Sequence, residues 1–492
     1  MYSLGIDVGS SSVKVSLLGI ESGKLAASST NPEREMPISA PQKGFAEQDP
    51  EMWWKYVCEG IRRIGLERDL SQVKSIGVTY QMHGLVAVDK AVRPLRDAII
   101  WCDSRAVSIG DRAFNGIGPD RCLDHLLNSP GNFTASKLRW VKDNEPEIYN
   151  RVWKFMLPGD YIVYKLTGAV STTETGLSEQ ILWDFKESSR ADFVAEHLGI
   201  DTSLIPDTAP SIGIAARTSK ELEKLLGIPA GTPVSYRAGD QPNNAFSLNV
   251  LNPGEIAATG GTSGVVYGVT DVPKADSASR VNTFLHVNNT AGNPRLGVLL
   301  CINGTGIMNS WVRHNISHDM DYAGMNDLAA TAPVGCDGLT IIPFGNGAER
   351  VLCNGTAGAS FNGLDLVRHT HAHIFRAVQE GIAFAFRYGI DIMKNLGLDP
   401  SVIRAGKANL FLSPLFRTTL ATLADARIEL FDTDGALGAA RGGALGAGIY
   451  SSEKEAFAAL TKTGEVEPRQ EWKQALEESY AHWKKTLENS LK

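Results

Sequence analysis

Gly5-Ile6-Asp7-Val8-Gly9-Ser10-Ser11-Ser12-Val13-Lys14 decides the architecture. Residues 2–7 form an apolar run that ends at Asp7, residues 9–12 are glycine and serine, and Val13-Lys14-Val15-Ser16-Leu17-Leu18 alternates as a half-buried strand does. A hairpin whose bend is built only of small residues is suited to turning its main-chain N–H groups toward an anion. Gly9 permits the tight turn, and Ser10, Ser11 and Ser12 add hydroxyl donors. Asp7, at the end of the first strand, is placed to bind a magnesium ion directly or through water. Lys14 either reaches a phosphate or points to solvent. An ordinary hairpin would use the same residues, so the stretch alone leaves function open. No G-x-x-x-x-G-K-[ST] occurs, and no G-x-G-x-x-G opens a helix after the first strand, which excludes a Walker-type loop and leaves a dinucleotide fold unsupported.

Outward from the hairpin, Glu21-Ser22-Gly23-Lys24 is a second turn with a third strand after it, giving a β-meander. Asp49-Pro50 reads as an N-cap followed by a first-turn proline, and Met52, Trp53, Tyr56, Val57, Ile61 and Ile64 then recur at helical spacing. Val73–Tyr80 reads as a strand running into Gln81. The pattern is α/β and layered. A second strand-turn-strand spans Glu255–Tyr267 around Gly260-Gly261-Thr262-Ser263-Gly264 and echoes the first. Two such hairpins predict a duplicated core of two domains, 1–245 and 246–492, with a cleft between them in which Gly9–Ser12 and Gly261, Thr262 and Ser263 clamp a triphosphate. A helix is predicted over about His369–Leu396, where Gly381 and Gly389 imply close backbone packing or a bend. The charged, periodic C-terminal stretch predicts a surface helix.

Three further segments carry candidate chemistry. Gln81-Met82-His83-Gly84 follows a buried strand, where α/β proteins place ligands. Gln81 and His83 suit sugar hydroxyls and Met82 a carbon skeleton, although a lone histidine at a strand end more often serves the structure. In Trp101-Cys102-Asp103-Ser104-Arg105, Asp103 suits a polyol and Arg105 suits phosphate, or the two form a plain ion pair. Asp240, in Ala238-Gly239-Asp240-Gln241, suits the proton acceptor of a phosphoryl transfer to a hydroxyl, or else the N-cap of a following helix.

The 492 residues, 43% hydrophobic and 21% charged, suit two or three globular domains. A net charge of -7 without a basic run excludes a nucleic-acid role. The six cysteines form no C-x-x-C pair and are expected as reduced, buried thiols. The chain opens on a strand-like run rather than a leader, and no apolar stretch is long enough for a membrane span, so a soluble cytoplasmic protein is expected.

At these residues the chain resembles the FGGY carbohydrate kinases, which share the two-domain actin/hexokinase-like ATPase fold with its duplicated ribonuclease H-like core and interdomain cleft. The likeness extends over Glu47-Gln48-Asp49-Pro50-Glu51-Met52-Trp53-Trp54, Leu157-Pro158-Gly159-Asp160-Tyr161, Leu166-Thr167-Gly168 and Asp434-Gly435-Ala436-Leu437-Gly438-Ala439-Ala440. Gln81-Met82-His83-Gly84 resembles the form found in the branch that phosphorylates D-xylulose. The resemblance implies ATP as donor, Mg2+, a small ketose as acceptor converted to D-xylulose 5-phosphate, Asp240 as general base, and Gln81, Met82, His83, Asp103 and Gln241 around the sugar. Gly406, Lys407 and Asn409 fall on the adenosine loop. The family's Asn after the catalytic Asp is here Gln241, and its Gly-Gly-Gly-Ala loop is here Ala405-Gly406-Lys407-Ala408-Asn409. Rival expectations are a kinase of ribulose, gluconate or glycerol, a sugar sensor without catalysis, and an actin-like filament protein. A homodimer is left open.

Overall fold

The computed structural model describes residues 1–317 and 320–492. The opening segments form the expected meander: Tyr2–Val8, Val13–Gly19 and Leu25–Asn31 pair antiparallel in sequence. Tyr2–Val8 also pairs in parallel with Val73–Tyr80, which in turn pairs in parallel with Pro233–Gly239. Ile212–Arg217 closes the far edge antiparallel, completing six strands.

The second sheet repeats this plan. Ile256–Gly260, Gly264–Thr270 and Leu296–Ile302 are antiparallel, Val402–Gly406 and Arg427–Phe431 add in parallel, and Lys462–Val466 closes antiparallel, with Asn282–Leu285 as an extra strand on the other edge. The duplicated core expected from two echoing hairpins is therefore present.

Local chemistry explains the helices. Asp49 accepts from the Glu51 amide and Pro50 starts the helix Pro50–Gly65, whose Trp53, Val57, Ile61 and Ile64 are buried against the first sheet. Each such side chain contributes roughly 1.5–3 kcal/mol of apolar burial. The long helix is His371–Lys394, and of the two expectations for its glycines the structure shows close packing. A Cβ on Gly381 would overlap the carbonyl of Ile341, and one on Gly389 would crowd Leu300. The C-terminal helix Gln470–Ser490 buries only Leu476, Tyr480, Trp483 and Leu487.

One connection was not legible. The helix Gly435–Gly446, which follows strands of the second sheet, packs on the first. Its main chain lies directly on the strands: a Cβ on Gly5 would overlap the carbonyl of Ala436, and one on Gly77 the carbonyl of Ala439. Ser3 and Ser235 donate hydroxyls to the carbonyls of Ala440 and Gly443, each at 2.6 Å.

The cysteines are all free, but the expectation of buried thiols is only partly met, since Cys102 and Cys353 are exposed. Among the described residues no helix is long and apolar enough to cross a membrane.

Because the contact at Gly77 is main chain against main chain, neither partner can give way by rotamer change. Gly77→Val should cost on the order of 3 kcal/mol or more, by analogy with overpacked cores. The check is the thermal midpoint; a wild-type midpoint would show that helix and sheet are not seated as described.

Candidate active site

The first bend turns between the paired residues Val8 and Val13. The Gly9 amide closes the turn on Ser12 O at 3.0 Å, whereas among the described residues the amides of Ser10, Ser11 and Ser12 donate to no main-chain carbonyl. A concave run of free N–H groups is the arrangement that binds an anion. Gln48 holds the bend in place: its Nε2 donates to Ser10 O at 2.7 Å, while its Oε1 accepts from Trp53 Nε1 and Gln81 Nε2, each at 3.1 Å. Sequence inspection took Gln48 only as part of a landmark. The structure makes it the joint between the early helix, the bend and the Gln81 segment.

A cavity of about 360 Å³ is lined by Asp7, Gly9–Ser12, Lys14, Thr30, Gln81, Trp101 and Asp240. It brings together the phosphate-type bend and the candidate base, which are more than 200 residues apart in the chain. Trp101 was quoted in the sequence without a role; its ring is 52% exposed, and its Nε1 lies 3.4 Å from Ser10 Oγ. An exposed indole at a polar cavity offers an apolar face to a carbohydrate.

Asp240 is the first residue of the helix Asp240–Ser247, whose N-cap is Gly239, so it is not itself the cap. Burial pushes its carboxyl up to about 6, opposed by donors from Gln241. Burial likewise pushes Asp7 up to about 7, with the Asp240 and Asp434 carboxylates acting in the same direction and Lys14 against it. Lys14 lines the cavity and pairs with Asp434 at 2.7 Å, joining the first hairpin to the N-cap of the helix Gly435–Gly446. Two further carboxylates near Asp7, offset by one ammonium, leave negative charge that a cation would relieve, so the donor set suits a magnesium ion that keeps most of its ligands from phosphate and water. Asp7 is the residue placed to hold it.

His83 sits at φ 61°, a left-handed conformation uncommon outside glycine. Lys137, fully buried, holds it there by donating to His83 O at 2.8 Å and to Ile100 O at 3.0 Å. The ring packs against Phe133 and, from the second sheet, Phe284, at 4.8 and 5.3 Å between centroids. Its Nδ1 lies 2.9 Å from the carbonyl oxygen of Glu179, which can only accept, so Nδ1 carries the proton. Burial, with the nearby Lys137 cation, pulls the ring down to about 3 and keeps it neutral. Nε2 is therefore a hydrogen-bond acceptor. Met82 is 4% exposed and packs under Gly239. Of the tetrapeptide, only Gln81 lines the cavity.

Asp103 resolves as the ion pair. Its side chain is fully buried, Oδ2 accepts from Arg105 Nη2 at 2.7 Å and from the Ala46 amide at 2.6 Å, and Oδ1 accepts from the Arg105 amide at 2.8 Å. The carboxylate is held by these donors away from the surface.

The second bend does not open into this cavity. Gly260, Gly261 and Thr262 line a separate one of about 370 Å³ with Gly306, Ile307, Asn309, Ser310, Tyr322, Asn326, Asn409 and Ser413, and the two cavities share no residue. The expected single pocket is thus two chambers. Asn409 is in the second as expected; Ser263, Gly406 and Lys407 are not among its walls. The helix Gly306–Asn315 was missed. It starts against Gly261, where a Cβ on Gly306 would overlap Gly261 O, and Ile307 N donates to Thr262 O at 3.0 Å. The small-residue run Asn303-Gly304-Thr305-Gly306 was the available signal.

The N-terminal domain model of the FGGY family of carbohydrate kinases matches residues 2–247, and the C-terminal domain model matches 256–449. The xylulose kinase of Haemophilus influenzae is 30% identical over 472 residues, 92% of each chain. Two solved Lactobacillus acidophilus structures, a ligand-bound xylulose kinase and a gluconate kinase, each superpose with TM-score 0.90 at 23% identity over 99% of this chain and 98% of theirs. The shared fold does not separate the two sugars.

Asp7 supplies a test of the electrostatics. Its carboxyl is raised in the folded chain from an ordinary 3.8 to about 7, so the folded form holds a proton that the unfolded form releases between those values. The stability tied to this group is present at low pH and is lost as pH rises through 7. Asp7→Asn, which cannot ionise, should raise the thermal midpoint by a few degrees at pH 8, and the gain should shrink toward pH 4. A gain independent of pH would show that Asp7 is not strained by its charge.

Proposed function

Since this chain belongs to the FGGY family of carbohydrate kinases, we propose that it transfers the γ-phosphoryl of ATP to a hydroxyl of D-xylulose, giving D-xylulose 5-phosphate, with Asp240 as general base. The observation that carries this is the common cavity of Asp240, Asp7 and the free amides of Ser10–Ser12. The choice of D-xylulose is supported by Gln81-Met82-His83-Gly84 and by the xylulose kinases among the relatives.

The sugar lies against Trp101 and Gln81, and one hydroxyl donates to His83 Nε2 as the halves close. Asp240 accepts the proton of the attacking hydroxyl; its raised pKa of about 6 brings its basicity close to neutral pH while leaving it mostly ionised there. The N–H groups of the first bend hold the transferring phosphoryl, and those of Gly261, Thr262 and Ser263, likewise without main-chain partners, hold the rest of the triphosphate. Magnesium, when bound with ATP, neutralises phosphate charge, and Asp7 would hold it. The nucleoside occupies the chamber with Asn409 and Tyr322. Two chambers require the second half to move toward the first, which also excludes water from the reacting centre. We place the reaction in the cytoplasm, where ATP is supplied.

ADP release measured with D-xylulose, D-ribulose, D-gluconate and glycerol tests the substrate. D-xylulose should give the highest kcat/KM; a higher value for another acceptor reassigns the sugar, and no turnover on any acceptor favours a sensor.

Asp240→Asn should lower kcat by about three orders of magnitude or more while the fold is kept, as expected for a residue acting in the transition state. In the wild type, kcat/KM should fall about tenfold per pH unit below about 6 as the carboxylate is protonated. Wild-type turnover in the variant, or a flat acid limb, contradicts the assignment of the base.

A further inference from the structure

We propose that Glu179 is a positioning residue of the acceptor site: its buried side chain, bonded to Tyr80 and packed with Met82 against Gly239, fixes the strand ends carrying His83 and Asp240. This rests on the proposed phosphorylation at Asp240. Glu179 ends the helix Glu174–Glu179 and is 2% exposed. It meets the site at three points. Its carbonyl oxygen accepts from His83 Nδ1 and so sets the tautomer that leaves Nε2 free to accept. Its Oε1 accepts from Tyr80 OH at 2.7 Å, and Tyr80 is the last strand residue before Gln81. Its Oε2 has no hydrogen-bond partner among the described residues and lies 3.0 Å from the position a Cβ would take on Gly239, immediately before Asp240. Met82 Sδ is 3.1 Å from that same position. Gly239 therefore has no room for a side chain, because the carboxyl and the thioether already fill it.

The surroundings decide the protonation state. Tyr80, His83, Lys137, Asp160, Arg237 and Asp240 face or lie near the carboxyl. Two of these are acids. Arg237 is engaged by Asp160 at 3.0 Å and by the carbonyls of Ser171 and Thr172, each at 2.8 Å, and Lys137 is occupied by the carbonyls of His83 and Ile100. An ionised carboxylate would need several donors, and among the described residues only the Tyr80 hydroxyl and the main-chain amide of His83 are at hand. Burial pushes the Glu179 carboxyl well above its ordinary value; Asp160 and Asp240 reinforce this, and the hydrogen bonds from Tyr80 and the His83 main chain oppose it without cancelling it. A neutral acid has the shape and hydrogen-bonding pattern of an amide, so glutamine is its close mimic.

The experiment compares Glu179→Ala and Glu179→Gln with wild type. It is run on whichever of D-xylulose, D-ribulose, D-gluconate and glycerol the wild type turns over fastest, so that a wrong sugar assignment does not affect the outcome. Glu179→Ala should raise the sugar KM about tenfold or more with the ATP KM within about twofold of wild type, and Glu179→Gln should recover most of the loss. A generally loosened fold would raise both KM values together, and that result overturns the proposal. So does an unchanged sugar KM in the alanine variant, or a glutamine variant no better than alanine, which would mean that the charge is required. If the alanine variant does not fold, glutamine decides alone: a sugar KM within about threefold of wild type supports the role, and a rise of about tenfold or more refutes it.

Discussion

The seat of the helix Gly435–Gly446 on the first sheet is the contact on which the rest depends. It is main chain on main chain, made by glycine at 5 and 77 on the strands and by small residues along the helix, with two serine hydroxyls bonded to helix carbonyls. Side chains would hold the surfaces several ångströms apart. With none there, Gly435 comes against the Asp7 carboxylate, and Asp434 reaches Lys14. A segment from the second half is thus seated against the first hairpin, next to Asp7 and Lys14.

That closeness has an electrostatic consequence. Asp240 and Asp434 both lie near Asp7, only Lys14 offsets them there, and burial raises Asp7 and Asp240 to about 7 and 6. A fold selected for stability alone would not keep this arrangement, since unpaired buried charge is costly. It suits a site whose missing positive charge arrives with its ligand. The neutral His83, held in a left-handed backbone by a buried lysine, is a second feature kept at a cost in strain.

Much of the architecture was legible because it follows from local rules. The meander, the Asp49-Pro50 helix start and the second hairpin depend on residues adjacent in sequence, and each was recovered. Asp7 and Asp240 could be paired only through family likeness, because 232 intervening residues carry no signal of their contact. The misses share one cause, long-range packing. Asp103 was offered to a ligand, but the Ala46 amide, 57 positions away, and Arg105 take it. The pairing of Lys14 with Asp434, 420 positions away, is likewise invisible in the local pattern. Gln48 and Glu179 act through partners on other elements, so nothing in their own segments marked them. The two bends were expected to face one pocket, and they line separate cavities, which no local pattern encodes.

A crystal structure with a non-hydrolysable ATP analogue and D-xylulose bound tests the central claim most directly, namely that both chambers serve one nucleotide and one sugar. The account predicts the γ-phosphate on the amides of Ser10–Ser12, the nucleoside beside Asn409, and a sugar hydroxyl within hydrogen-bond distance of Asp240. A nucleotide bound away from either bend, or a sugar with no contact to Asp240, would contradict it.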